Sequence, residues 1–418
     1  MSDHDAPLLT NALSKTALNS SIQHHLRIRL LVPHFLASGD GVKAAGRTSV
    51  LLVDGEHGLA FKVLRCLSTH KDVRIHILSS DQKSPIRYSR HVATFLPYSI
   101  RSDDSLESEV RKAAQSTGSE VLLACSAPGT EFLIRRGSTI PNIRLMQLPG
   151  LRAFRAANDK WAFHLTAHSC GTDSPRTCLA GGSGLPEDMV FPVLLKPRVG
   201  ESGRGILRVN NAAELTAGLQ LSTVTPGRYI VQEFVHGKNV GCSVICQEGR
   251  ILACTVQQPI RPQDRGFASA RDIRFRMHEG AVALANKIVK YLNWTGVAHF
   301  DMRIRDSDGR VLVLEMNPRF WASIYGSLRA GVDFVSLNCA LAQAGSTSPS
   351  TFSELDYYQG FAAFGPWLRG CPTDFGCRVL DPLPDLMQKL STLRQRFTGT
   401  RSDNLPADTL DPVATVLP

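Results

Sequence analysis

Three polar side chains in the second half of the chain have the types and spacing of a metal site. Residues with high β-propensity run from Val297 to Met316 and are interrupted only by a turn, which predicts an antiparallel hairpin. A three-residue loop, Ser307–Gly309, would place Asp301 directly opposite Glu315, with the two Cβ atoms about 5 Å apart. Because side chains alternate along a strand, Asn317 would lie on the same face as Glu315, about 7 Å away.

Two neighbouring carboxylates repel each other unless a positive charge neutralises them. A hard divalent cation with oxygen ligands does so, and Mg²⁺ also leaves coordination positions for phosphate oxygens. We therefore predict that Asp301, Glu315 and Asn317 bind one or two Mg²⁺ ions, with Mn²⁺ as an alternative. A solvated carboxylate pair on an exposed strand is the competing interpretation, but the flanking Phe300 and Leu312 have core character.

Two lysines and a glycine-rich segment precede the hairpin in an order that suits phosphate binding. Lys160 follows Asp159 at the start of a predicted helix that runs to Gly171. Lys196 ends the predicted strand Val190–Pro197. The next segment, Gly200–Gly205, has glycines that let backbone N–H groups close over phosphates as a lid. Each feature alone is weak evidence, and their order along the chain strengthens it.

In this order the motifs resemble the ATP-grasp superfamily of carboxylate–amine and carboxylate–thiol ligases, with an ATP-binding region similar to that of carbamoyl-phosphate synthases. The resemblance covers residues 48–345. It implies an α/β (α+β) chain with the ATP-grasp fold. The expected parts are a loose N-terminal extension (1–47), a Rossmann-like pre-ATP-grasp domain (48–150), a subdomain with the lid (151–228), a subdomain with hinge and metal site (229–345), and a C-terminal segment with a helix and a loose tail (346–418).

The resemblance also implies residue roles. Lys196 and Arg319 would be catalytic, with Arg319 holding the acceptor carboxylate or the acyl phosphate. The position that usually holds a ribose-binding glutamate is Asn239 here, which leaves ATP and other purine nucleotides open. The implied nucleotide-binding residues are Lys160, Lys196, Gly200, Ser202, Gly203, Gly205, Gln232, Glu233, Val235 and Asn239. His299 and Arg303 share the strand face of Asp301 and would either contact substrate or serve the structure.

The implied activity is ligation of a small carboxylic acid, with amino acids among the candidates, to an amine. ATP would activate the acid as an acyl phosphate, and ADP and phosphate would be released. One alternative is a bicarbonate-activating carboxylase or carbamoyl-phosphate-type enzyme. Another is a nucleotide-binding module without turnover. Retention of all the motif residues together argues against the second alternative.

Composition limits the partners. The 418 residues have 43% hydrophobic residues and a net charge of +10, which is globular composition that favours anionic ligands without choosing one. The basic segment Arg261–Arg276 lacks a groove-reading motif, and every long apolar stretch is interrupted by charge, so we expect neither nucleic-acid nor membrane partners. Ten cysteines without a CxxC pair predict a cytoplasmic protein with reduced thiols. Homo-oligomerisation stays open.

Overall fold

The computed structural model describes residues 48–99, 103–181, 185–186, 189–221, 224–225, 227–261, 270, 272–345 and 350–398. The predicted N-terminal extension, the tail after residue 398 and most of the basic segment 261–276 lie outside the described residues. Within the described ranges no helix is both long and apolar enough to cross a membrane. All ten cysteines are free thiols.

The first unit is a five-stranded sheet in which all neighbouring strands run parallel, as the alternating β and α pattern predicts. Its strand order is β3-β2-β1-β4-β5. The strands are β1 (Thr48–Leu52), β2 (Val73–Ser79), β3 (Val92–Pro97), β4 (Val121–Leu123) and β5 (Arg144–Leu145), and the helices are α1 (Ala60–Leu67), α2 (Asp103–Thr117) and α3 (Ala127–Arg136). The loop after β1 carries His57 and leads into α1 at the carboxyl edge of the sheet.

His76 on β2 is a buried polar side chain in this sheet. It is 3% exposed, and neither ring nitrogen has a hydrogen-bond partner. Burial, together with the charge of Arg74, lowers the pKa of His76 from its ordinary value of 6.5. Unfolding returns the ring to water, so below that value the unfolded chain binds more protons than the folded one. The free energy of unfolding should therefore fall as the pH falls from 7.5 to 5.

We expect His76→Leu to remove part of that pH dependence. One proton contributes at most about 1.4 kcal/mol per pH unit to the slope. Urea unfolding at pH 7.5 and 5.0 measures the difference, and His168→Leu, on an exposed helical position, is the matched control. An equal pH dependence of the free energy of unfolding in wild type and His76→Leu would show that His76 has the same pKa in the folded and unfolded states.

Two helices connect this unit to the next one, and the second is the helix that the sequence predicts from Asp159 and Lys160 to Gly171. Helix α4 (Leu151–Asn158) ends at Asp159, which has extended backbone angles, and α5 (Lys160–Ser169) begins at the next residue. The Asp159 carboxylate accepts a hydrogen bond from the N–H of Trp161 at 2.9 Å and also pairs with Arg198. Asp159 is therefore the N-cap of α5, which agrees with the predicted start of that helix. The break places Lys160 in the first turn of α5.

A small antiparallel sheet carries the glycine-rich loop. Its strand order is β6-β9-β7-β8, and it has its own apolar cluster, separate from the other two cores. Helix α6 (Ala212–Leu219) packs on β8, with the bounds that the sequence predicts. The strands are β6 (Thr177–Leu179), β7 (Val193–Pro197), β8 (Leu207–Val209) and β9 (Tyr229–Glu233). The loop Gly200–Gly205 connects β7 to β8 and is called the lid below.

The third unit is a six-stranded antiparallel sheet. It faces the lid, and the space between the two is called the cleft below. The strand order of the sheet is β14-β13-β10-β11-β12-β15, and α7 (Glu279–Tyr291) packs against β10 and β11. Helix α8 (Ile324–Arg329) and helix α9 (Phe334–Ala344) follow β14 and pack on α1. The strands are β10 (Gly237–Gln247), β11 (Arg250–Pro259), β12 (Ile273–Phe275), β13 (Gly296–Arg305), β14 (Val311–Asn317) and β15 (Leu355–Tyr357).

The β13–β14 hairpin has the predicted pairing of Asp301 with Glu315, but a different turn. The N–H of Arg305 donates to the carbonyl of Arg310 at 2.9 Å, so the loop has four residues rather than the predicted three. That loop shifts the register by one position. An extra residue at Leu314, a β-bulge, restores it before Glu315.

The C-terminal segment packs back on the first unit through buried charges. It contains α10 (Phe364–Leu368), α11 (Phe375–Leu380) and α12 (Pro382–Thr398). Arg65 of α1 donates to Asp374 at 3.3 Å and to Asp385 at 3.0 Å, and Arg378 pairs with the same two carboxylates. The helix predicted for this segment is present as α12, but Leu383 and Leu393 on it are about half exposed. Charged residues therefore make much of its contact with the rest of the protein.

Candidate functional site

The predicted metal-binding side chains converge at the β13–β14 edge of the cleft. The amide nitrogen of Asn317 donates to Asp301 Oδ2 at 2.9 Å and to Glu315 Oε1 at 3.2 Å. The Asp301 side chain is 46% exposed and that of Glu315 is 21% exposed, so both carboxylates are accessible from the cleft. The hairpin register brings these three residues together, as the sequence predicts.

Positive groups surround the two carboxylates. The ammonium group of Lys160 lies 3.3 Å from Glu315 Oε2, and His299 Nε2 lies 3.4 Å from Asp301 Oδ1. Partial burial favours the neutral form of Asp301, but the neighbouring His299 and the charge of Arg319 outweigh it. They lower the pKa of Asp301 to about 2. Asp301 is therefore ionised at neutral pH and able to hold a cation.

The donor set fits a hard divalent cation. The described residues contain no group of three or more His, Cys, Asp or Glu side chains that could hold a metal, so two carboxylates alone would not complete a site. The amide oxygen of Asn317 would add a third ligand by turning away from Arg319 Nη2, from which it accepts a hydrogen bond at 3.2 Å in this structure, and phosphate oxygens would supply further ligands. In this structure the Asn317 amide N–H and the Lys160 ammonium group neutralise the carboxylates, the role that a bound cation would take.

Lys160 lies beneath the lid, and Lys196, at the end of β7, is close enough to feel the charges of Lys160 and Glu315. Lys160 donates to the carbonyl of Gly200 at 3.0 Å, and Lys196 donates to Gln232 Oε1 at 2.8 Å. Lys196 is 5% exposed. Burial, and to a smaller extent the charge of Lys160, outweighs the attraction of Glu315 and Asp301 and lowers the pKa of Lys196 to about 8. A desolvated ammonium group of this kind gains strongly from an anionic ligand.

The lid has the backbone geometry that its glycines permit. Gly203 and Gly205 both have φ of 71°, in the left-handed region that favours glycine, and Ser202 is there too with φ of 59°. A Cβ on Gly205 would lie 3.2 Å from Pro197 Cγ, so this position also needs a small residue. The lid closes over a small cavity that Lys160 and Glu315 line from the other side.

Two residues of the site were not predicted from the sequence. Glu201 of the lid accepts a hydrogen bond from His57 at 2.6 Å and lies 3.0 Å from Arg319 Nε. The sequence does hold a signal for Glu201, because an acidic side chain is unfavourable in a loop that closes on phosphates. His57 lies 144 positions away and belongs to the first unit. No local pattern pairs the two residues.

Three of the predicted nucleotide-binding residues, Gln232, Glu233 and Val235, are only partly available to bind a base. The N–H of Glu233 already donates to the carbonyl of Arg176 at 2.9 Å, so this residue would offer only its carbonyl group to a base. The side chain of Gln232 is buried between Lys196 and Thr177 rather than free to contact a base. Val235 is buried at the end of the segment.

Asn239, to which the resemblance assigns the ribose contact, lies on β10. Its side-chain oxygen accepts a hydrogen bond from Arg303 Nη1 at 3.2 Å, and the Arg303 guanidinium lies 5.3 Å from the centre of the Phe234 ring. Arg303 is therefore placed by an amide and an aromatic ring. His299, the other candidate for substrate contact on β13, forms a hydrogen bond with Ser243 at 2.8 Å and stacks on Trp321.

Asn239→Glu tests whether this position contacts ribose. We expect tighter binding of Mg²⁺ and a non-hydrolysable ATP analogue, by about fivefold, because a carboxylate makes stronger hydrogen bonds to hydroxyl groups than an amide does. Isothermal titration calorimetry gives the affinity, and Asn239→Ala is the matched variant that should bind more weakly. Unchanged affinity in both variants would remove Asn239 from the nucleotide site.

Comparison with known proteins agrees with this geometry. Residues 157–323 match the family profile of the ATP-grasp domain. The vancomycin B-type resistance protein VanB of Enterococcus faecalis is 23% identical over 40% of this chain and 54% of its own length. A D-alanine–D-alanine ligase of Azoarcus sp. is 25% identical over 42% of this chain and 62% of its own length. The chain thus spans about half to three fifths of these curated relatives.

Solved structures share the fold over a longer stretch. N5-carboxyaminoimidazole synthetase from Staphylococcus aureus, solved with ADP, aligns with a TM-score of 0.60 at 17% identity, over 77% of this chain and 84% of that one. An L-amino acid ligase from Bacillus licheniformis aligns with a TM-score of 0.54 at 14% identity, over 72% and 75%. Residues 157–323 therefore carry an ATP-grasp domain, and the chain shares the fold of these solved structures over about three quarters of its length.

Proposed function

We propose that this protein is an ATP-dependent ligase that joins a small carboxylic acid to an amine, with release of ADP and phosphate. The observation that carries the proposal is the placement of two carboxylates and an amide opposite two lysines, beneath a glycine-rich lid. Such a site neutralises a triphosphate from both sides, and phosphoryl transfer depends mainly on positioning and charge neutralisation.

In the first step, an oxygen of the substrate carboxylate attacks the γ-phosphorus, and the bond to the β-phosphate oxygen breaks to release ADP. Asp301, Glu315 and Asn317 would hold Mg²⁺, which when bound neutralises phosphate charge. Lys160 and Lys196 bind phosphate oxygens as point charges. The closed lid excludes water, which would otherwise hydrolyse the acyl phosphate.

In the second step, the amine nitrogen attacks the acyl carbon, phosphate leaves and the nitrogen loses a proton. Arg319 is placed to stabilise the oxyanion, because its guanidinium lies next to the metal-binding side chains and is fixed by the carbonyl of Phe320 at 2.8 Å. The relatives named as D-alanine–D-alanine ligase and the L-amino acid ligase support amino acids as the acid and the amine.

Bicarbonate is a second candidate for the acid. The large chain of the arginine-specific carbamoyl phosphate synthase of Bacillus subtilis is 26% identical over 31% of this chain, and the biotin carboxylase of Campylobacter jejuni shares the fold with a TM-score of 0.58. This chain would then form carboxyphosphate in the same site. Location in the cytoplasm and self-association stay predictions.

A substrate screen tests the proposal. The protein is incubated with ATP and Mg²⁺ and with pairs drawn from amino acids, other small carboxylic acids, bicarbonate and amines, and the release of ADP and phosphate is followed. We expect release that needs both an acid and Mg²⁺, with an amide product in the mass spectrum. Nucleotide binding without ADP formation across the panel would favour a non-catalytic module instead.

A further inference from the structure

We propose that Glu201 is a gating residue of this site, acting in the empty protein as an internal substitute for the substrate carboxylate. Its carboxylate pairs with the Arg319 guanidinium, and its hydrogen bond with His57 holds the lid shut. Binding of an acid then displaces Glu201 from Arg319 but leaves it on His57. The inference rests on the proposed ligase function for the identity of the displacing group, and on geometry alone for the gate.

The two oxygens of Glu201 have different partners on different parts of the protein. Oε1 lies 2.6 Å from His57 Nε2, in the loop after β1, and Oε2 lies 3.0 Å from Arg319 Nε, just after β14. The lid subdomain has a separate apolar cluster, so few buried apolar contacts tie it to either neighbour. One side chain of the lid therefore joins all three structural units.

A substrate acid would have to compete with Glu201 for the guanidinium group of Arg319. Its Nη1 and Nη2 atoms contact a carbonyl oxygen and an amide oxygen, both neutral. Within the described ranges, Glu201 is the carboxylate that pairs with this guanidinium within 4 Å. An anionic substrate group that binds Arg319 must therefore replace an ion pair that already exists.

Glu201 carries its charge at neutral pH. Burial would raise the pKa of this carboxyl, but the hydrogen bond from His57 and the charge of Arg319 outweigh burial and lower the pKa to about 2. A charged carboxylate in the lid also repels nucleotide phosphates in the cavity that Lys160 lines. When the substrate carboxylate pairs with Arg319, the Glu201 carboxylate leaves the guanidinium. The contact between Glu201 and His57 then keeps the lid in place.

The gate is tested first without any substrate. Trypsin cleavage after Arg204, an exposed lid residue, is followed by mass spectrometry in wild type, Glu201→Ala and His57→Ala. We expect at least tenfold faster cleavage in Glu201→Ala and a smaller increase in His57→Ala, because cleavage needs local opening of the chain. Glu248→Gln, in the exposed β10–β11 turn, is the control, and thermal melts verify folding. Equal cleavage rates in wild type and Glu201→Ala would overturn the gate.

The carboxylate-substitute role is tested with the acid that the substrate screen identifies. Glu201→Gln keeps a hydrogen-bonding group for His57 but removes the charge that competes for Arg319. We expect its KM for the acid to fall about three- to tenfold with kcat within about twofold of wild type. Glu201→Ala should instead raise ATP hydrolysis in the absence of acid. An unchanged KM in Glu201→Gln would overturn this role. Absence of ADP formation in wild type would refute the ligase proposal and leave the proteolysis result standing.

Discussion

Glu315→Ala is expected to lower Mg²⁺-dependent ADP formation by about a thousandfold or more while the fold stays intact. Glu315 contributes one of the two carboxylates of the candidate metal site and also contacts Lys160 at 3.3 Å, so its loss removes a cation ligand and releases a phosphate-binding lysine together. A thousandfold loss corresponds to about 4 kcal/mol of transition-state stabilisation, which is in the range attributed to a bound metal ion.

Two controls separate metal loss from misfolding. Glu248→Ala removes the same side chain from the exposed turn between β10 and β11 and should keep full activity and stability. Titration of Mn²⁺ as a probe reports binding directly, and Glu315→Ala should bind it at least tenfold more weakly than wild type. Wild-type turnover or wild-type Mn²⁺ affinity in a folded Glu315→Ala protein would exclude Glu315 from the site.

The placement of the candidate metal ligands is predictable because it depends on strand alternation and on one local hairpin. Asp301 and Glu315 are only 14 residues apart, and the chemistry of the turn places them on facing strands. The predicted loop length was nevertheless wrong, and the correct pairing arises because a bulge at Leu314 offsets the longer turn. Propensity does not reveal a compensating bulge, since the extra residue is as β-forming as its neighbours.

Features that depend on distant parts of the chain could not be predicted from the sequence. By contrast, the start of α5 at Asp159 is local and is predicted from the sequence, because aspartate is a good N-cap. The contacts of Arg65 with Asp374 and of His57 with Glu201 span 309 and 144 positions. Such pairs follow from how the units pack, which single-sequence patterns do not encode.

For Lys196, the sequence identifies the residue, but the surrounding structure determines its chemistry. The sequence identifies it as the lysine before the lid, whereas its burial and its bond to Gln232 come from the packing of β7 against β9. The environment sets its chemistry, because an exposed lysine stays charged far above neutral pH and this one has a pKa of about 8. Its charge is therefore expected to titrate within an accessible pH range.

Lys196→Met is expected to weaken binding of Mg²⁺ and a non-hydrolysable ATP analogue by about 30- to 100-fold at pH 7, since a charge-assisted hydrogen bond to phosphate is lost from a buried position. In wild type, binding should weaken by up to about tenfold per pH unit above pH 8. The protonated lysine binds phosphate, and the free protein loses that proton as the pH rises through 8. The variant has no such proton to lose.

The decisive comparison is the slope of affinity against pH between 7 and 9.5, measured by calorimetry. Lys196→Met should give a nearly flat line over this interval, and Lys238→Met, an exposed lysine on β10, should reproduce the wild-type slope. Lys196→Arg separates charge from titration, because a guanidinium stays protonated throughout and should keep measurable affinity at pH 9.5. A wild-type slope in Lys196→Met would assign the titration to another group and remove Lys196 from phosphate binding.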